Sequence, residues 1–267
     1  MNKERLDVLL TNNGYFESRQ KAQAEIMAGN ILVNNQKICK PGTVVDSAGL
    51  ITILKKDFPY VSRGALKLLK AFEIFNIVAD DKICLDIGAS TGGFTEILLI
   101  KGARKVYAID VGHNQLDWKL RNDDRVVSKE KTNGRYLTPL DLDDNLMDII
   151  VTDVSFISLE KILPAAYSCL KAEGEMVALI KPQFEAGHGE VSKKGVVTNN
   201  TIHFKVIKKI IEFSLGLGFS IMGIGKSPIK GPKGNIEFLI YLIKEDNPRI
   251  EDMITDKLIM DIIKEDK

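Results

Sequence analysis

A strand that runs directly into a glycine-rich turn constrains this chain more than any other feature. Residues 83–93 read ICLDIGASTGG, an order that predicts a buried strand, a tight turn and the start of a helix. Gly88, Gly92 and Gly93 let the backbone adopt dihedral angles closed to other residues and pass close to a ligand. A helix that starts near Gly92 would direct its N–H groups at that ligand. The turn therefore predicts an α/β domain with a Rossmann-like sheet, helices on both faces and a ligand at the carboxyl edge.

The charge beside this turn indicates which ligand it takes. Asp86 stands just before the first glycine, and the GxGxxG spacing of a pyrophosphate-binding turn is absent. A carboxylate repels phosphates and attracts an ammonium group. S-adenosylmethionine carries an ammonium group in its methionine moiety, so we expect it to be the cofactor.

Two further strand ends fit the same cofactor. The strand KVYAID ends in Asp110, an acid that can hold both hydroxyls of an adenosine ribose, and RVVSKEKTN ends near Asn133, which can reach an adenine edge. A single Asp or Asn at a strand end is often only a turn former. The spacing of one βαβ unit between Asp86 and Asp110 favours the binding interpretation. The expected cofactor-binding residues are Asp86, Gly88, Ser90, Thr91, Gly92, Gly93, Phe94, Asp110 and Asn133.

The next two strands lead to the residues that we expect to flank the transferred methyl group. MDIIVTD ends in Asp153, and EMVALI is followed by Lys181. The residues after Asp153 are not the Asn/Asp-Pro-Pro-aromatic sequence of amino-group methyltransferases. Cys169 is expected near the end of a helix, away from the position of a cytosine-C5 nucleophile. A hydroxyl acceptor activated by a lysine remains.

A lysine accepts a proton only where its surroundings favour the neutral form. An unperturbed lysine titrates near about 10.4. A second cation and burial lower this pKa, while a carboxylate raises it and fixes the geometry. Lys67 and Glu237 are the candidates to join Asp153 and Lys181, although alone they resemble a solvated helix residue and an outward strand residue. The residues themselves leave open whether a lysine acts as base or only orients the hydroxyl.

The N-terminal segment reads as a small separate α+β module. It contains two short helices, the second capped by Ser18, and then the strands ILVNNQKI and LITIL. Residues 1–60 hold eight basic and six acidic residues, an excess that alone does not distinguish an RNA surface from a solvated one. The order RLD, SR and VN, at 5–7, 18–19 and 33–34, resembles the S4 RNA-binding domain. This resemblance implies RNA contacts by Arg5, Arg19 and Lys21, and Arg63 is a further basic candidate.

The motifs of the whole chain resemble those of the TlyA family of rRNA 2′-O-methyltransferases. They are SRGA at 62–65, DIGASTGGF at 86–94, DVG at 110–112, RND at 121–123, DVSFIS at 153–158, KPQFE at 181–185, GP at 231–232 and GNIE at 234–237. The family joins an S4 domain to an FtsJ-like methyltransferase domain and methylates cytidines of ribosomal RNA. Its Lys-Asp-Lys-Glu tetrad falls on Lys67, Asp153, Lys181 and Glu237.

The domain boundaries follow from these motifs. We expect an S4-like domain over 1–57, a linker over 58–61 that contains Phe58 and Pro59, a methyltransferase domain over 62–245 and a charged C-terminal tail over 246–267. Ser62 is expected to cap the helix that bears Lys67. The glycine-rich segment 185–197, with His188, Lys193 and Lys194, is expected to be a mobile loop over the RNA entry.

Composition limits the alternatives. The net charge is only +1, so RNA binding must depend on local clusters. The sparse cysteines (Cys39, Cys84 and Cys169) and the lack of a signal peptide or of about 18 consecutive apolar residues predict a cytoplasmic protein without a membrane segment. No metal site is expected, and a monomer is the default. The alternatives are an RNA-binding ribosome assembly factor with vestigial activity, and a haemolysin, as an older name of the family suggests.

Overall fold

The computed structural model describes residues 3–27, 29–54, 59–187 and 189–265. Phe58 and His188, which belong to the expected linker and entry loop, lie outside these ranges. The chain divides into two compact units, Met1–Pro59 and Tyr60–Lys267, and each is described by itself. Within the described ranges no helix is both long and apolar enough to cross a membrane.

The first unit consists of two short helices and two small sheets. Its helices are α1 (Leu6–Asn12) and α2 (Arg19–Met27). Its strands are β1 (Lys3–Arg5), β2 (Ile31–Val33), β3 (Gln36–Ile38), β4 (Val44–Asp46) and β5 (Ile51–Ile53). β1 pairs with β4, and the other three follow the order β3-β2-β5. The β1–β4 pair was not predicted, because the three residues Lys-Glu-Arg carry no strand pattern.

Local signals explain the ends of these elements. The Ser18 hydroxyl accepts a hydrogen bond from the Lys21 amide at 3.2 Å, as expected of a helix cap. Asn34 and Asn35 both have positive φ, the geometry of the tight turn that joins β2 to β3. Apolar residues of both helices and of the sheets form one small core, with Leu6, Leu10, Ala22, Ile26 and Ile31 fully buried.

The second unit is a seven-stranded sheet between two layers of helices. Its strands are β6 (Ile83–Ile87), β7 (Lys105–Ile109), β8 (Val126–Lys129), β9 (Met147–Thr152), β10 (Leu170–Ile180), β11 (Phe219–Lys226) and β12 (Phe238–Lys244). Their order is β11-β12-β10-β9-β6-β7-β8, with β12 antiparallel to both neighbours. The expected α/β sheet is confirmed.

Helices cover both faces of this sheet. They are α3 (Ala65–Ile74), α4 (Gly93–Ile100), α5 (Trp118–Arg121), α6 (Leu163–Cys169), α7 (Pro182–Glu185), α8 (Asn200–Leu217) and α9 (Asp256–Lys264). Alternation along β6 sends Leu85 and Ile87 into the core beneath α6 and α8, and Cys84 into the core beneath α3 and α4. Each face therefore has its own apolar core.

Two local expectations need correction. The described part of the expected C-terminal tail 246–267, residues 246–265, is not a separate tail: Ile254, Ile259 and Ile263 join the core beneath α8, and Ile250 forms a parallel bridge with Ile221. The sequence prediction was wrong because the high proportion of charged residues in this segment is typical of a solvated tail, and the apolar face of α9 was not recognised. Helix α3 begins at Ala65, after Gly64, and its first turn has no side-chain cap, so Ser62 does not cap it.

Candidate active site

Four ionisable side chains meet at the carboxyl edge of the central strands. Asp153 follows β9, Lys181 follows β10 and Lys67 lies on α3. Glu237 immediately precedes β12. Because β12 is antiparallel to β10, with Phe238 opposite Ile180, its first residues lie at the edge where the parallel strands end. The topology thus places a residue at the start of β12 beside residues at the ends of β9 and β10.

The four side chains form a continuous series of ion pairs. Lys181 Nζ lies 2.6 Å from Asp153 Oδ1, and Asp153 Oδ2 lies 2.9 Å from Lys67 Nζ. Lys67 Nζ also lies 2.7 Å from Glu237 Oε2. Asp153 therefore bridges the two lysines, and Lys67 bridges the two acids. The side chain of Glu237 is 1% exposed and those of the lysines 7–8%, so each charge depends on its neighbours for stabilisation.

The two lysines differ in their surroundings. Burial lowers the pKa of Lys67, but attraction to Asp153 and Glu237 outweighs it and raises that pKa above its ordinary value. Lys67 is therefore held in its charged form, contrary to the idea that its neighbours would favour a neutral amine. Lys181 Nζ has a different second contact, the Ser155 hydroxyl at 3.0 Å.

Asp86 has one satisfied and one unsatisfied oxygen. Its Oδ2 accepts hydrogen bonds from the Thr95 amide at 2.9 Å and the Thr95 hydroxyl at 2.7 Å. Its Oδ1 is buried without a hydrogen-bond partner among the described residues. Burial raises the pKa of Asp86 to about 7. An unsatisfied buried carboxylate oxygen fits a cationic group, which the ammonium of S-adenosylmethionine supplies.

The glycines of the turn have different roles. Gly88 has a φ of +85°, and a Cβ there would lie 3.0 Å from the Val154 side chain. Gly92 has a φ of +96°, and its Cβ would lie 2.2 Å from Leu120 Cδ1. A Cβ at Gly93 would lie 2.3 Å from the Ser62 hydroxyl. The positive φ at Gly88 and Gly92 agrees with the dihedral freedom expected from the sequence, and packing inside the domain is a further reason for glycine at 92 and 93.

Asp110 and Asn133 both bind backbone amides. Asp110 accepts from Ser90 N at 2.8 Å and from Gly112 N at 2.7 Å, which joins the end of β7 to the glycine turn. Asn133 Oδ1 accepts from Arg135 N at 3.1 Å and caps a short 3-10 helix, Gly134–Tyr136. The turn-forming roles considered from the sequence are thus present at both positions.

A cavity of about 480 Å³ lies beside the ion-paired cluster. Its lining contains most of the predicted site residues: Arg63, Lys67, Gly88, Ser90, Thr91, Gly93, Phe94, Asp153, Lys181 and Glu237. Four predicted cofactor-binding residues do not line it: Asp86, Gly92, Asp110 and Asn133. The structure therefore brings the tetrad and the glycine turn to one cavity and leaves these four behind or beside its wall.

Two aromatic rings at this cavity had no predicted role. Phe156 is 89% exposed, and its backbone has a positive φ of 64°, which is unusual for a bulky residue. Its ring centroid lies 5.2 Å from that of Phe184, and both rings line the cavity. Phenylalanine beside polar residues in DVSFIS and KPQFE was the available signal, but only the fold brings the two motifs together.

The segment expected to be a mobile entry loop is attached at both ends, and at its start Glu185 accepts a hydrogen bond from Leu159 N at 2.7 Å. Asn235, which is 3% exposed, accepts a hydrogen bond from Val197 N at 3.0 Å and donates one to Gly195 O at 2.9 Å. His203 of α8 contacts Val197 O through Nε2 at 3.0 Å. Val191 and Gly195 contribute to the cavity wall. Residues 195–197 are thus held by two side chains, Asn235 and His203, to which the sequence assigned no role.

In the first unit, the predicted RNA contacts are organised by acids. Arg5 and Arg19 both bind the buried carboxylate of Asp7, while the side chains of the two arginines are 49% and 51% exposed. Lys21 Nζ lies 2.7 Å from Glu17 Oε1 on the surface. The two arginines therefore form a pair, and Lys21 belongs to a separate ion pair.

Comparison with known proteins agrees with this architecture. The family model of the FtsJ-like methyltransferase matches residues 60–244, and that of the S4 domain matches residues 4–51. The 16S/23S rRNA (cytidine-2′-O)-methyltransferase TlyA of Mycobacterium tuberculosis is 43% identical, covering 89% of both chains. Hemolysin A of Brachyspira hyodysenteriae is 47% identical, covering 90% of this chain and 99% of its own length.

Solved structures extend the comparison. A Streptococcus thermophilus protein described as a hemolysin is 46% identical, with a TM-score of 0.76, and covers 98% of this chain and 95% of its own. An S-adenosylmethionine-dependent methyltransferase from Mesorhizobium loti, 11% identical with a TM-score of 0.50, covers 67% of this chain and 98% of its own and shares the fold alone. The chain therefore belongs to the TlyA family, in which an S4 domain precedes an FtsJ-like methyltransferase domain.

Proposed function

We propose that this chain transfers the methyl group of S-adenosylmethionine to the 2′-hydroxyl of a cytidine in ribosomal RNA. The observation that carries the proposal is Asp153, which bridges Lys67 and Lys181 beside the cavity of the glycine turn. The M. tuberculosis relative is named for the same reaction. An rRNA substrate implies a cytoplasmic reaction.

The cofactor would supply an electrophilic methyl group on a sulfonium centre. Asp86 would bind its ammonium group through the unsatisfied Oδ1. Asp110 would bind the ribose hydroxyls, since each carboxylate oxygen can accept more than one hydrogen bond. The Asn133 amide nitrogen would donate to the adenine edge, because Asn133 Oδ1 caps the 3-10 helix. The remaining contacts would come from the turn: Gly88, Ser90, Thr91, Gly92, Gly93 and Phe94.

Lys181 would act on the acceptor. Its amine would orient the 2′-hydroxyl, and in its neutral form it would accept the hydroxyl proton while the oxygen attacks the methyl carbon and the carbon–sulfur bond of the sulfonium breaks. Lys67 would remain charged, since its two acids raise its pKa, and would hold Asp153 in place. Glu237 would in turn hold Lys67. This division gives each tetrad residue a different role.

The RNA would meet two groups of contacts. Arg5, Arg19 and Lys21 in the first unit and Arg63 at the cavity would bind phosphates, which positions RNA without reading its sequence. Phe156 and Phe184 would offer stacking surfaces to the target nucleotide, as aromatic rings do for unstacked RNA bases.

The test is transfer of labelled methyl from S-adenosylmethionine to ribosomal subunits that lack the modification. Wild type is compared with Lys181→Ala and with Lys171→Ala, a control lysine that pairs with Asp148 outside the cavity. We expect transfer by wild type and by Lys171→Ala, and a loss of at least about 100-fold with Lys181→Ala. Absence of transfer by wild type, despite binding of cofactor and subunits, would favour the assembly-factor alternative.

A further inference from the structure

The motif Arg5-Leu6-Asp7 of the first unit contains an acid with no role in the proposed reaction. The Asp7 side chain is fully buried, although it lies between two basic residues expected to contact RNA. Removing an acid from an RNA-binding surface normally strengthens binding, because RNA phosphates are negative. The presence of a carboxylate here therefore requires a reason other than charge.

Asp7 receives donors from two elements, β1 and α2. Arg5, at the end of β1, donates through Nε to Oδ1 and through Nη2 to Oδ2, both at 3.1 Å. Arg19, the first residue of α2, donates through Nε to Oδ2 at 2.8 Å. Gln23, one turn later on the same face of α2, donates to Oδ2 at 2.7 Å. The carboxylate thus fixes both guanidinium groups relative to each other.

We propose that Asp7 is a positioning residue that holds Arg5 and Arg19 as one rigid pair for the phosphates of RNA. The inference rests on the proposed function, in which the first unit binds ribosomal RNA. A guanidinium has five N–H donors. Asp7 occupies two of those on Arg5 and one on Arg19, so donors remain on both groups for phosphate oxygens. About half of each arginine side chain is exposed.

Holding the pair reduces the entropy that binding would otherwise cost. A long, flexible side chain loses rotamer freedom when a partner immobilises it. In this unit that freedom is already lost on folding, with the carboxylate as the anchor. The hydrogen bond from Arg5 lowers the pKa of Asp7 and outweighs burial, with further help from Gln23 and Arg19, so the anchor stays charged at neutral pH.

Asp7→Asn distinguishes the loss of positioning from the loss of charge. Loss of positioning of the two arginines weakens RNA binding, whereas loss of a negative charge strengthens it. Asparagine has the same shape, but one of the two oxygens becomes an NH2 donor and the charge is lost, so it cannot keep all four hydrogen bonds that Asp7 accepts. We expect about tenfold weaker binding to unmodified ribosomal subunits and a similarly raised KM for them. We expect kcat and S-adenosylmethionine affinity to stay unchanged, because both belong to the second unit.

Two controls make the result interpretable. Glu17→Gln removes the same charge from the same unit at an exposed ion pair, and we expect unchanged or tighter RNA binding. Gln23→Ala removes a donor to Asp7 but leaves both arginine contacts, and we expect RNA binding close to wild type. Circular dichroism and thermal unfolding check that each variant is folded.

Equal or tighter RNA binding by Asp7→Asn would overturn the proposal. An equal loss in Gln23→Ala would also overturn it, since Asp7 would then act only through the stability of the unit. Wild-type methyl transfer is measured in the same series. If wild type binds subunits without methylating them, the proposed function fails while the binding comparison still decides the role of Asp7.

Discussion

Asp86 is the site residue whose charge should change most near neutral pH. Its pKa is about 7 in the folded chain because it is buried. The pKa of the carboxyl in the unfolded chain is about 3.9, so the folded chain binds more protons between these two pKa values and its stability falls as pH rises through that range. Ligand binding has the opposite dependence, because a cationic ligand prefers the ionised carboxylate.

We therefore predict that affinity for S-adenosylmethionine rises about fivefold to tenfold between about pH 6 and about pH 7.5. Above about pH 8 the α-amino group of the ligand itself loses its proton, so the rise in affinity is expected only up to about pH 7.5. Calorimetric titration measures the dissociation constant at each pH. Asp86→Asn is the control and should bind weakly, with a flat profile. A flat wild-type profile would contradict the role given to Asp86.

Lys67 and Lys181 should differ in their effect on stability. Lys67→Met leaves the buried Glu237 without its cation, which should cost about 3–5 kcal/mol in the free energy of unfolding. Lys181→Met should cost less, because Asp153 is 20% exposed and keeps its ion pair with Lys67. Chemical unfolding followed by circular dichroism measures the free energy of unfolding of each variant and shows which of the two is less stable. The reverse order would show that Lys67 does not hold the cluster together.

At the scale of elements, the glycine turn is limited by packing as well as by ligand approach. Gly92→Ala should destabilise the chain by at least about 1 kcal/mol, since alanine disfavours a φ of +96° and its Cβ would clash with Leu120. Gly216→Ala is the matched control: it lies in α8 with nothing within 4 Å of a Cβ and should stabilise by about 0.5–1 kcal/mol. Thermal unfolding measures both, and a stable Gly92→Ala would contradict this packing.

Helix α9 should behave as part of the core. Ile259 is 1% exposed, so Ile259→Ala should cost about 2–5 kcal/mol of unfolding free energy. Lys257→Ala, an exposed substitution on the same helix, should change it by less than about 0.5 kcal/mol. If both variants unfold like wild type in denaturant, the segment is a tail after all.

At the scale of the whole molecule, the sequence predicted features that follow from local rules. A strand, a glycine turn and a helix that follow one another within a dozen residues constrain one another's geometry. Residues that end parallel strands must share one edge of the sheet. Asp153 and Lys181 could therefore be brought together without a structure. Lys67 and Glu237 could not, since their positions depend on the packing of α3 and on the direction of β12. The family resemblance supplied them.

Other features were out of reach because they arise from long-range contacts. Asp7 accepts hydrogen bonds from residues of two other elements, and Asn235 joins residues 195–197 to the segment before β12. Both residues lie in motifs of the sequence, but no local pattern gives their contacts. The same holds for β1, whose polar residues form a strand only because β4 pairs with them. The expectation of a monomer stays a prediction, for which sedimentation equilibrium is the measurement.

The identity of the methylated nucleoside tests the central claim most directly. Unmodified ribosomal subunits are incubated with the protein and S-adenosylmethionine, and the RNA is digested to nucleosides and separated by mass spectrometry. The account predicts that the added methyl group is found as 2′-O-methylcytidine and that it is lost with Lys181→Ala. A methyl group on a base, or transfer that persists without Lys181, would contradict it.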